Sequence, residues 1–221
     1  MIEVATGQVT LSDRRTRRTW SSQVEDFRIA AVPVTRALYA RVVPIDGSEP
    51  DRPIDTVSWW DAVLFCNALS VVEGLHPPYL LDEPAETAVW DHTADGYRLP
   101  TEAEWEYVCR AGVAGPRYGS LEDIAWYRAT SGGRPHDVGT KNPNPWGVYD
   151  MLGNVWEWCW EQYDPQVYAS YRVLRGGGWA DEHWSCRASV RRRSHPTLRI
   201  DDVGFRLARS GPGSIEGFPE G

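Results

Sequence analysis

Between Ser58 and Gly74 the apolar residues recur at the spacing of an amphipathic helix. Ser58 and Asp61 form the sequence pattern of a capping box, in which two side chains satisfy free backbone amides where a helix begins. The apolar positions that follow lie three or four residues apart, at Ala62, Phe65, Cys66, Leu69 and Val72. The pattern therefore predicts a helix that follows Ser58 and ends before Gly74.

A second helix is predicted to start at Thr101, because Glu104 stands three residues later as the reciprocal cap. Gly112 is expected to end it, since glycine readily adopts the left-handed backbone found after a helix. One face of this helix carries Trp105, Val108 and Cys109. A shorter helix is predicted after Thr35.

The rest of the chain shows little regular periodicity. Residues 74–96 and 112–145 are punctuated by proline and glycine, and loops of this length are unusual in a compact domain unless packing or a metal fixes them. The chain has 12 Trp and 10 Tyr against 4 Phe, so large amphipathic rings are expected to pack irregular segments. We expect sparse regular secondary structure and a disordered tail over residues 210–221.

Charge and composition argue against several classes of protein. A formal net charge of −8 disfavours general binding to nucleic acid or to anionic membranes, because both are negatively charged. No apolar run approaches the roughly 20 residues of a membrane span, and residues 1–20 lack the apolar centre of a signal peptide. We therefore expect a cytoplasmic protein. The cysteines show no CxxC spacing and are expected to be buried free thiols, at Cys66, Cys109, Cys159 and Cys186.

The segment WGVYDMLGNVWEWCW, residues 146–160, fits neither a helix nor a strand period. The carboxylates of Asp150 and Glu157, with the backbone carbonyls of Gly153 and Val155, could hold one hard cation, since calcium takes six to eight oxygen ligands in irregular geometry. The alternative is that both carboxylates accept hydrogen bonds from buried backbone amides.

Four motifs occur in an order that resembles the formylglycine-generating enzyme family. They are YRLPTEAEWEYVCRAG (97–112), NPWGVYDMLGNVWEWC (144–159), RVLRGGGW (172–179) and VGFRLAR (203–209). Upstream, VPVTRALYARV and RPIDTVSWWDAVLFCNALS resemble the opening strand and first two helices of that family.

This resemblance covers residues 26–209, and it implies an α+β, elaborated C-type-lectin-like fold. In that fold the N- and C-terminal strands pair, two helices flank a small sheet, and most of the chain is ordered loop. It leaves residues 1–25 as an N-terminal segment and residues 210–221 as a tail.

The resemblance also bears on metals. Asp150, Gly153, Val155 and Glu157 fall on a calcium site of the family, which favours a structural calcium. The family's other calcium site is not recognisable, because residues 124–139 are short and lack the matching acidic ligand.

Copper chemistry is not expected. The oxidases of the family use two cysteines after the RGG motif to hold Cu(I), whereas residues 176–194 contain only Cys186. Cys186 better resembles a structural cysteine that pairs with the position of Cys109 in some members, and the sequence leaves that disulfide open. The expected copper positions fall near Asp181, whose hard oxygen ligands suit Cu(I) poorly.

A different metal remains an alternative, since sulfoxide synthases carry this fold fused to an iron-binding helical bundle. That bundle is not found here, and the histidines (His76, His92, His136, His183 and His195) are scattered and form no H-x-D/E pair. A site assembled from Asp181, Glu182 and His183 stays open.

The surface between Trp179 and Asp202 is the candidate binding region, because this part of a C-type-lectin fold faces ligands. Arginine and tryptophan are the residues that most often anchor interfaces. The candidates are Trp179, Asp181, Glu182, His183, Trp184, Arg191, Arg193, His195 and Arg199. An anionic peptide or phosphate-bearing partner would suit the excess of arginine. The alternative for residues 191–193 is an extended segment whose alternate side chains face solvent and pair with acidic neighbours.

Two functions therefore compete. The first is a non-canonical family member that binds a protein, peptide or small-molecule ligand, a layout that also resembles retroelement-diversified binding proteins. The second is a metal-dependent oxidase or oxygenase tailoring a peptide or small molecule, with Cys186, His183 or Asp181 as catalytic candidates. The ligand and the oligomeric state do not follow from the sequence.

Overall fold

The computed structural model describes residues 1–82 and 87–211. The strands are β1 (Ile2–Val4), β2 (Gly7–Asp13), β3 (Arg18–Val24), β4 (Phe27–Ile29), β5 (Tyr79–Asp82), β6 (Thr87–Trp90), β7 (Trp156–Gln162), β8 (Arg172–Arg175), β9 (Arg191–Ser194), β10 (Val203–Gly204) and β11 (Ala208–Ser210). The helices are α1 (Arg36–Ala40), α2 (Trp59–Val72), α3 (Glu102–Arg110), α4 (Leu121–Ile124) and α5 (Pro165–Tyr168). Of the tail predicted to be disordered, Ser210 ends β11 and residues 212–221 lie outside the described residues.

The three helices predicted from the sequence are confirmed, and local capping defines each start. The Thr35 side chain accepts a hydrogen bond from the backbone amide of Leu38 at the start of α1. Complete capping boxes, formed by Ser58 with Asp61 and by Thr101 with Glu104, open α2 and α3. These pairs are three residues apart, so the sequence alone contains the information that fixes them.

The first sheet has the strand order β1–β4–β11, with β4 paired antiparallel to both neighbours. The opening strand of the predicted 26–209 domain thus pairs with the last strand, as the resemblance implied. Strands β2 and β3 form a separate antiparallel hairpin whose Val9, Leu11 and Val24 are buried in the core. Residues 1–25, expected as a segment ahead of the domain, therefore pack as part of it.

The second sheet has the order β10–β7–β8–β9, and helix α3 packs against β7 and β8. Residues 156–159 of β7 are buried on both faces of this sheet. Within β7, Trp156, Trp158 and Trp160 alternate with Glu157, Cys159 and Glu161, so this short strand does have a period of two. That period does not extend into residues 146–155, which are irregular, so the segment 146–160 as a whole shows no strand period.

Trp59 and Trp158 pack as expected, with buried rings whose indole groups donate hydrogen bonds, whereas the buried Nε1 of Trp90 has no hydrogen-bond partner within the described residues. Trp59 donates its Nε1 hydrogen to the carbonyl oxygen of Cys159 at 3.0 Å, and Trp158 donates to the carbonyl oxygen of Val57 at 3.0 Å. All four cysteines are buried free thiols, so Cys109 and Cys186 are not joined by a disulfide. Within residues 1–82 and 87–211, no helix is long and apolar enough to cross a membrane.

Candidate functional site

A groove of about 800 Å³ opens between the turn of the β2–β3 hairpin and the segment that leads into β9. One wall is formed by residues 12–15, the other by six residues between Trp184 and Arg191, and Tyr163 lines the groove between them. We call this cleft the arginine groove, because Arg14, Arg15, Arg187 and Arg191 all line it.

Buried ion pairs hold the floor of the arginine groove. Arg191 donates two hydrogen bonds to the carboxylate of Glu102, the first residue of α3, and its Nη1 lies 3.4 Å from Asp13 Oδ2. Glu102 also accepts a hydrogen bond from Arg175 Nη1 at 3.1 Å, and Arg175 is fully buried. Because each buried charge has an opposite partner, the floor is held rigidly and the Arg191 charge is largely neutralised.

The rim of the arginine groove, by contrast, exposes its side chains. Trp184 is 54% exposed, which is unusual for so large an apolar ring. Its backbone carbonyl oxygen accepts a hydrogen bond from Arg187 Nε at 2.7 Å, which holds the Arg187 guanidinium group beside this backbone. On the opposite wall Arg15 pairs with Asp164, while Arg14 is exposed.

Residues 191–193 lie in strand β9, which matches the extended segment predicted as the alternative for them. Arg192 is exposed and lies 3.9 Å from Asp181 Oδ1. Arg193 stacks on Tyr168, with its guanidinium carbon 3.7 Å from the ring centroid. Arg193 therefore supports the fold beside the groove and does not line it.

The other predicted binding residues are engaged in contacts outside the arginine groove. Trp179 donates its indole hydrogen to the carbonyl oxygen of Asp201 at 3.1 Å, and His195 Nδ1 lies 2.8 Å from the hydroxyl of Thr197. Arg199 forms two hydrogen bonds of 2.8 Å with Asp61, the capping residue of α2. Of the nine candidates, Trp184 and Arg191 line the groove.

The loop formed by Asp181, Glu182 and His183 does not gather into a metal site. Asp181 Oδ2 accepts hydrogen bonds from Trp156 Nε1 at 2.5 Å and from the amide of Gly178 at 3.0 Å. Glu182 pairs with Arg128 at 2.9 Å, and the exposed His183 ring packs edge-on against Trp184. In the described part of the chain, no three His, Cys, Asp or Glu side chains cluster closely enough to hold a metal ion.

Cys186 is fully buried, and burial raises the pKa of its thiol to about 12. A thiol with such a pKa stays protonated at neutral pH, whereas the thiolate is the form that binds metals and attacks substrates. The thiol is therefore poorly suited to the catalytic role considered for it.

The predicted calcium ligands lie in the tight loop before β7 and at its start. Both oxygens of Glu157 accept hydrogen bonds from Arg206 at 2.6 Å, and Oε2 accepts another from Trp105 Nε1 at 2.7 Å. A carboxylate oxygen has two lone pairs, so Oε1 keeps one for a cation. The alternative predicted for Glu157, a bond to backbone amides, is replaced here by bonds to two side chains.

Asp150 has one buried oxygen whose hydrogen-bonding capacity is not satisfied within the described residues. Its Oδ2 accepts a hydrogen bond from the amide of Gly139 at 2.7 Å, but Oδ1 is buried without a hydrogen-bond partner. Burial raises the pKa of Asp150 to about 6. A buried, unpartnered carboxylate oxygen is costly and is explained by an ion or a water molecule. Asp150 Oδ1 and the remaining lone pair of Glu157 Oε1 are oxygen donors of the type that a hard cation such as calcium binds.

The fold is the elaborated C-type-lectin-like type predicted from the motifs. The structure is similar to that of Treponema denticola variable protein 1, with a TM-score of 0.86 and 30% identity, covering 96% of this chain and 95% of that one. Residues 1–211 match the family model of the sulfatase-modifying factor enzyme 1-like domain, so this chain belongs to the family of formylglycine-generating enzymes.

Two curated relatives show the range of the family. The chain is 30% identical over 227 residues to the chaperone protein LppX of Paenibacillus barcinonensis, covering 85% of this chain and 81% of that protein. It is 30% identical over 236 residues to the hercynine oxygenase of Mycolicibacterium smegmatis, covering 84% of this chain. The match spans 53% of the oxygenase, about half its length.

Sequence reasoning missed one wall of the groove. Arg14 and Arg15 lie in the hairpin turn, which the resemblance left outside the domain. The available signal was the alternation of the apolar Val9 and Leu11 with polar neighbours, which indicates a strand with one buried face.

Proposed function

We propose that this family member is a recognition module that binds a protein, peptide or small-molecule ligand in the arginine groove. The observation that carries this proposal is the exposed Trp184 at the rim of a groove whose floor is held by buried ion pairs. Tryptophan and arginine are the side chains that most often dominate binding energy. A rigid floor lowers the entropy lost on binding, so a small set of rim residues can supply specificity.

The environment of the thiol also supports recognition over copper oxidation. Cu(I) prefers thiolate or thioether ligands. Cys186 is buried with a raised pKa, and the hard carboxylate of Asp181 already accepts hydrogen bonds from Trp156 and Gly178. The side chains in this segment therefore form a poor donor set for copper.

Two relatives bear on the choice between the competing functions. LppX, which this chain matches over 81% of that protein's length, is named a chaperone protein, and this favours a role in binding a protein. The hercynine oxygenase is the relative that favours the competing function, an oxygenase acting on a small molecule or peptide. Such an enzyme would need a metal ligand set that the 181–183 loop does not form.

We also propose that one structural calcium ion stabilises the loop before β7. Asp150 and Glu157 would supply one carboxylate oxygen each, and the carbonyl groups of Gly153 and Val155 would supply two more. The buried Asp150 Oδ1 without a partner supports this proposal. The role of the ion is to neutralise Asp150 and fix the loop, because Arg206 already neutralises Glu157.

A peptide-display selection tests the proposed function. Wild-type protein serves as bait, and Trp184→Ala serves for counter-selection, because loss of an exposed ring should leave the fold intact. The proposal expects enriched peptides that bind the wild type and not the variant. Peptides that bind both proteins equally would overturn the assignment of the groove as the recognition site.

A further inference from the structure

We propose that the arginine groove selects an acidic peptide segment, held by Arg14 and Arg187 from opposite walls with Trp184 packed against it. This inference rests on the proposed recognition function and adds the chemistry of the ligand. It follows from which charges in the groove are already neutralised and which are free to bind.

Some of the arginines that line the groove are already paired with carboxylates, and others remain free to bind a ligand. Arg191 is neutralised by Glu102 and Asp13, and Arg15 pairs with Asp164. Asp13 is the only carboxylate among the lining residues, and Arg191 satisfies it. Arg14 and Arg187 also line the groove, and neither forms an ion pair with any acidic residue in the described part of the chain.

Arg187 is placed to donate to a ligand. Its Nε donates a hydrogen bond to the carbonyl oxygen of Trp184, and this bond fixes the direction of the guanidinium group. The Nη hydrogens form no hydrogen bond within the described residues, so they can bind a carboxylate in the forked geometry that arginine favours. The hydroxyls of Ser12, Ser185 and Ser189 line the same groove and add donors.

The size of the groove favours a peptide over a small anion. A volume of about 800 Å³ lies in the range of clefts that hold a drug-sized ligand or a short stretch of side chains, and inorganic phosphate would leave most of it empty. The net charge of −8 opposes a nucleic acid, whose affinity depends on extensive phosphate neutralisation. An acidic peptide needs only the local positive groove, and Trp184 can pack against its aliphatic stems.

Fluorescence anisotropy with fluorescein-labelled octaglutamate tests this inference, with octaglutamine as the neutral probe. We expect octaglutamate to bind at least about tenfold more tightly than octaglutamine at 50 mM salt, and to weaken at 200 mM salt as screening increases. Arg14→Gln and Arg187→Gln should each weaken binding about tenfold, the loss expected when one charge-assisted contact is removed. The matched control is Arg134→Gln, since Arg134 is exposed and does not line the groove, and it should bind as the wild type does.

Three outcomes would overturn the inference. One is equal binding of both probes, and another is unchanged octaglutamate affinity in the Arg14→Gln, Arg187→Gln double variant. The third is tighter binding of an oligothymidylate than of octaglutamate, which would assign the groove to nucleic acid. If display peptides that depend on Trp184 prove neutral or basic, the inference fails while the proposed function stands. If no peptide depends on Trp184, both fail.

Discussion

Arg191 and Glu102 form a buried, forked ion pair that joins the floor of the arginine groove to the first turn of α3. Arg191 donates from Nε to one carboxylate oxygen and from Nη2 to the other, the second at 2.8 Å. The two residues lie 89 positions apart in the chain. The pair thus connects strand β9 to helix α3, which packs against β7 and β8 of the second sheet, and the shape of the groove depends on this connection.

Replacing Arg191 should destabilise the protein far more than replacing Arg187. In Arg191→Gln the buried Glu102 keeps only Arg175 as a cationic partner, so we expect the free energy of unfolding to fall by about 2–3 kcal/mol. Arg187→Gln removes no ion pair and should stay within about 0.5 kcal/mol of the wild type. Urea denaturation measures both. Equal stabilities would show that Arg191 is not a structural residue.

Calcium should raise the thermal midpoint, and chelation should lower it. At a calcium concentration of 100 times Kd the gain is about 2.7 kcal/mol, which corresponds to about 5 to 10 °C for a chain of this size. Asp150→Asn should remove most of that difference, because it deletes the charge whose Oδ1 lacks a partner. Differential scanning calorimetry of the wild type and of Asp150→Asn, each in calcium and in chelator, measures the difference in thermal midpoint.

Glu157→Gln is the informative control for the calcium experiment. It should lower the midpoint even in chelator, because it breaks the buried pair with Arg206 whether or not an ion is bound. If the thermal midpoint of the wild type were the same in calcium and in chelator, the proposed calcium site would be contradicted. A calcium effect retained in Asp150→Asn would place the ion elsewhere.

Glu161 should make the protein less stable as pH rises. Both of its oxygens lie within 3.0 Å of the amide nitrogen of Glu102, and burial, then the charge of Glu102, raise its pKa to about 8. A carboxyl whose pKa is higher in the folded state than its ordinary 4.5 contributes stability at low pH. That stability is lost as pH rises from about 4.5 through about 8.

The variant Glu161→Gln isolates this effect, because the amide mimics the protonated acid. We expect the variant to match the wild type at pH 5 and to be more stable at pH 9 by at least about 1 kcal/mol. Chemical denaturation at both pH values measures the difference. Parallel pH profiles for the two proteins would show that Glu161 titrates normally.

The thiols should be inert in the native protein. The pKa of Cys186 is raised to about 12 by burial, so native protein should not react with a disulfide reagent, while unfolded protein should release four thiols. An anaerobic Cu(I) titration against a competing chelator should show no tight site. Tight one-to-one binding with oxygen consumption that Cys186→Ala removes would instead favour the oxygenase.

The sequence predicted those features whose determinants lie close together in the chain. The capping boxes at Ser58 and Thr101 are complete within four residues, and α2 and α3 begin where predicted. The family motifs predicted the fold for the same reason, since each is a contiguous run. Strand β7 was not recognised as a strand, because the alternation of Trp156, Trp158 and Trp160 with Glu157 and Glu161 covers only half of a motif that begins as irregular loop.

The candidate site was only partly predictable, because long-range pairing decides which charges are free. Arg191, Arg193 and Arg199 look equivalent in sequence, yet each is engaged by a distant residue, respectively Glu102, Tyr168 and Asp61. Arg14 and Arg187 line the groove without such partners, and no local pattern distinguishes them. Trp184, one of the predicted binding residues, lines the groove, and its contact with a ligand stays a prediction.

The most direct test is a calorimetric titration of a display-selected peptide into wild-type protein and into Trp184→Ala. The account predicts one-to-one binding to the wild type and at least about tenfold weaker binding to the variant, the loss expected of a tryptophan anchor. Because Trp184 is 54% exposed, the unfolding midpoints of the two proteins should agree. Equal affinities with equal midpoints would contradict the claim that this chain recognises its ligand through the arginine groove.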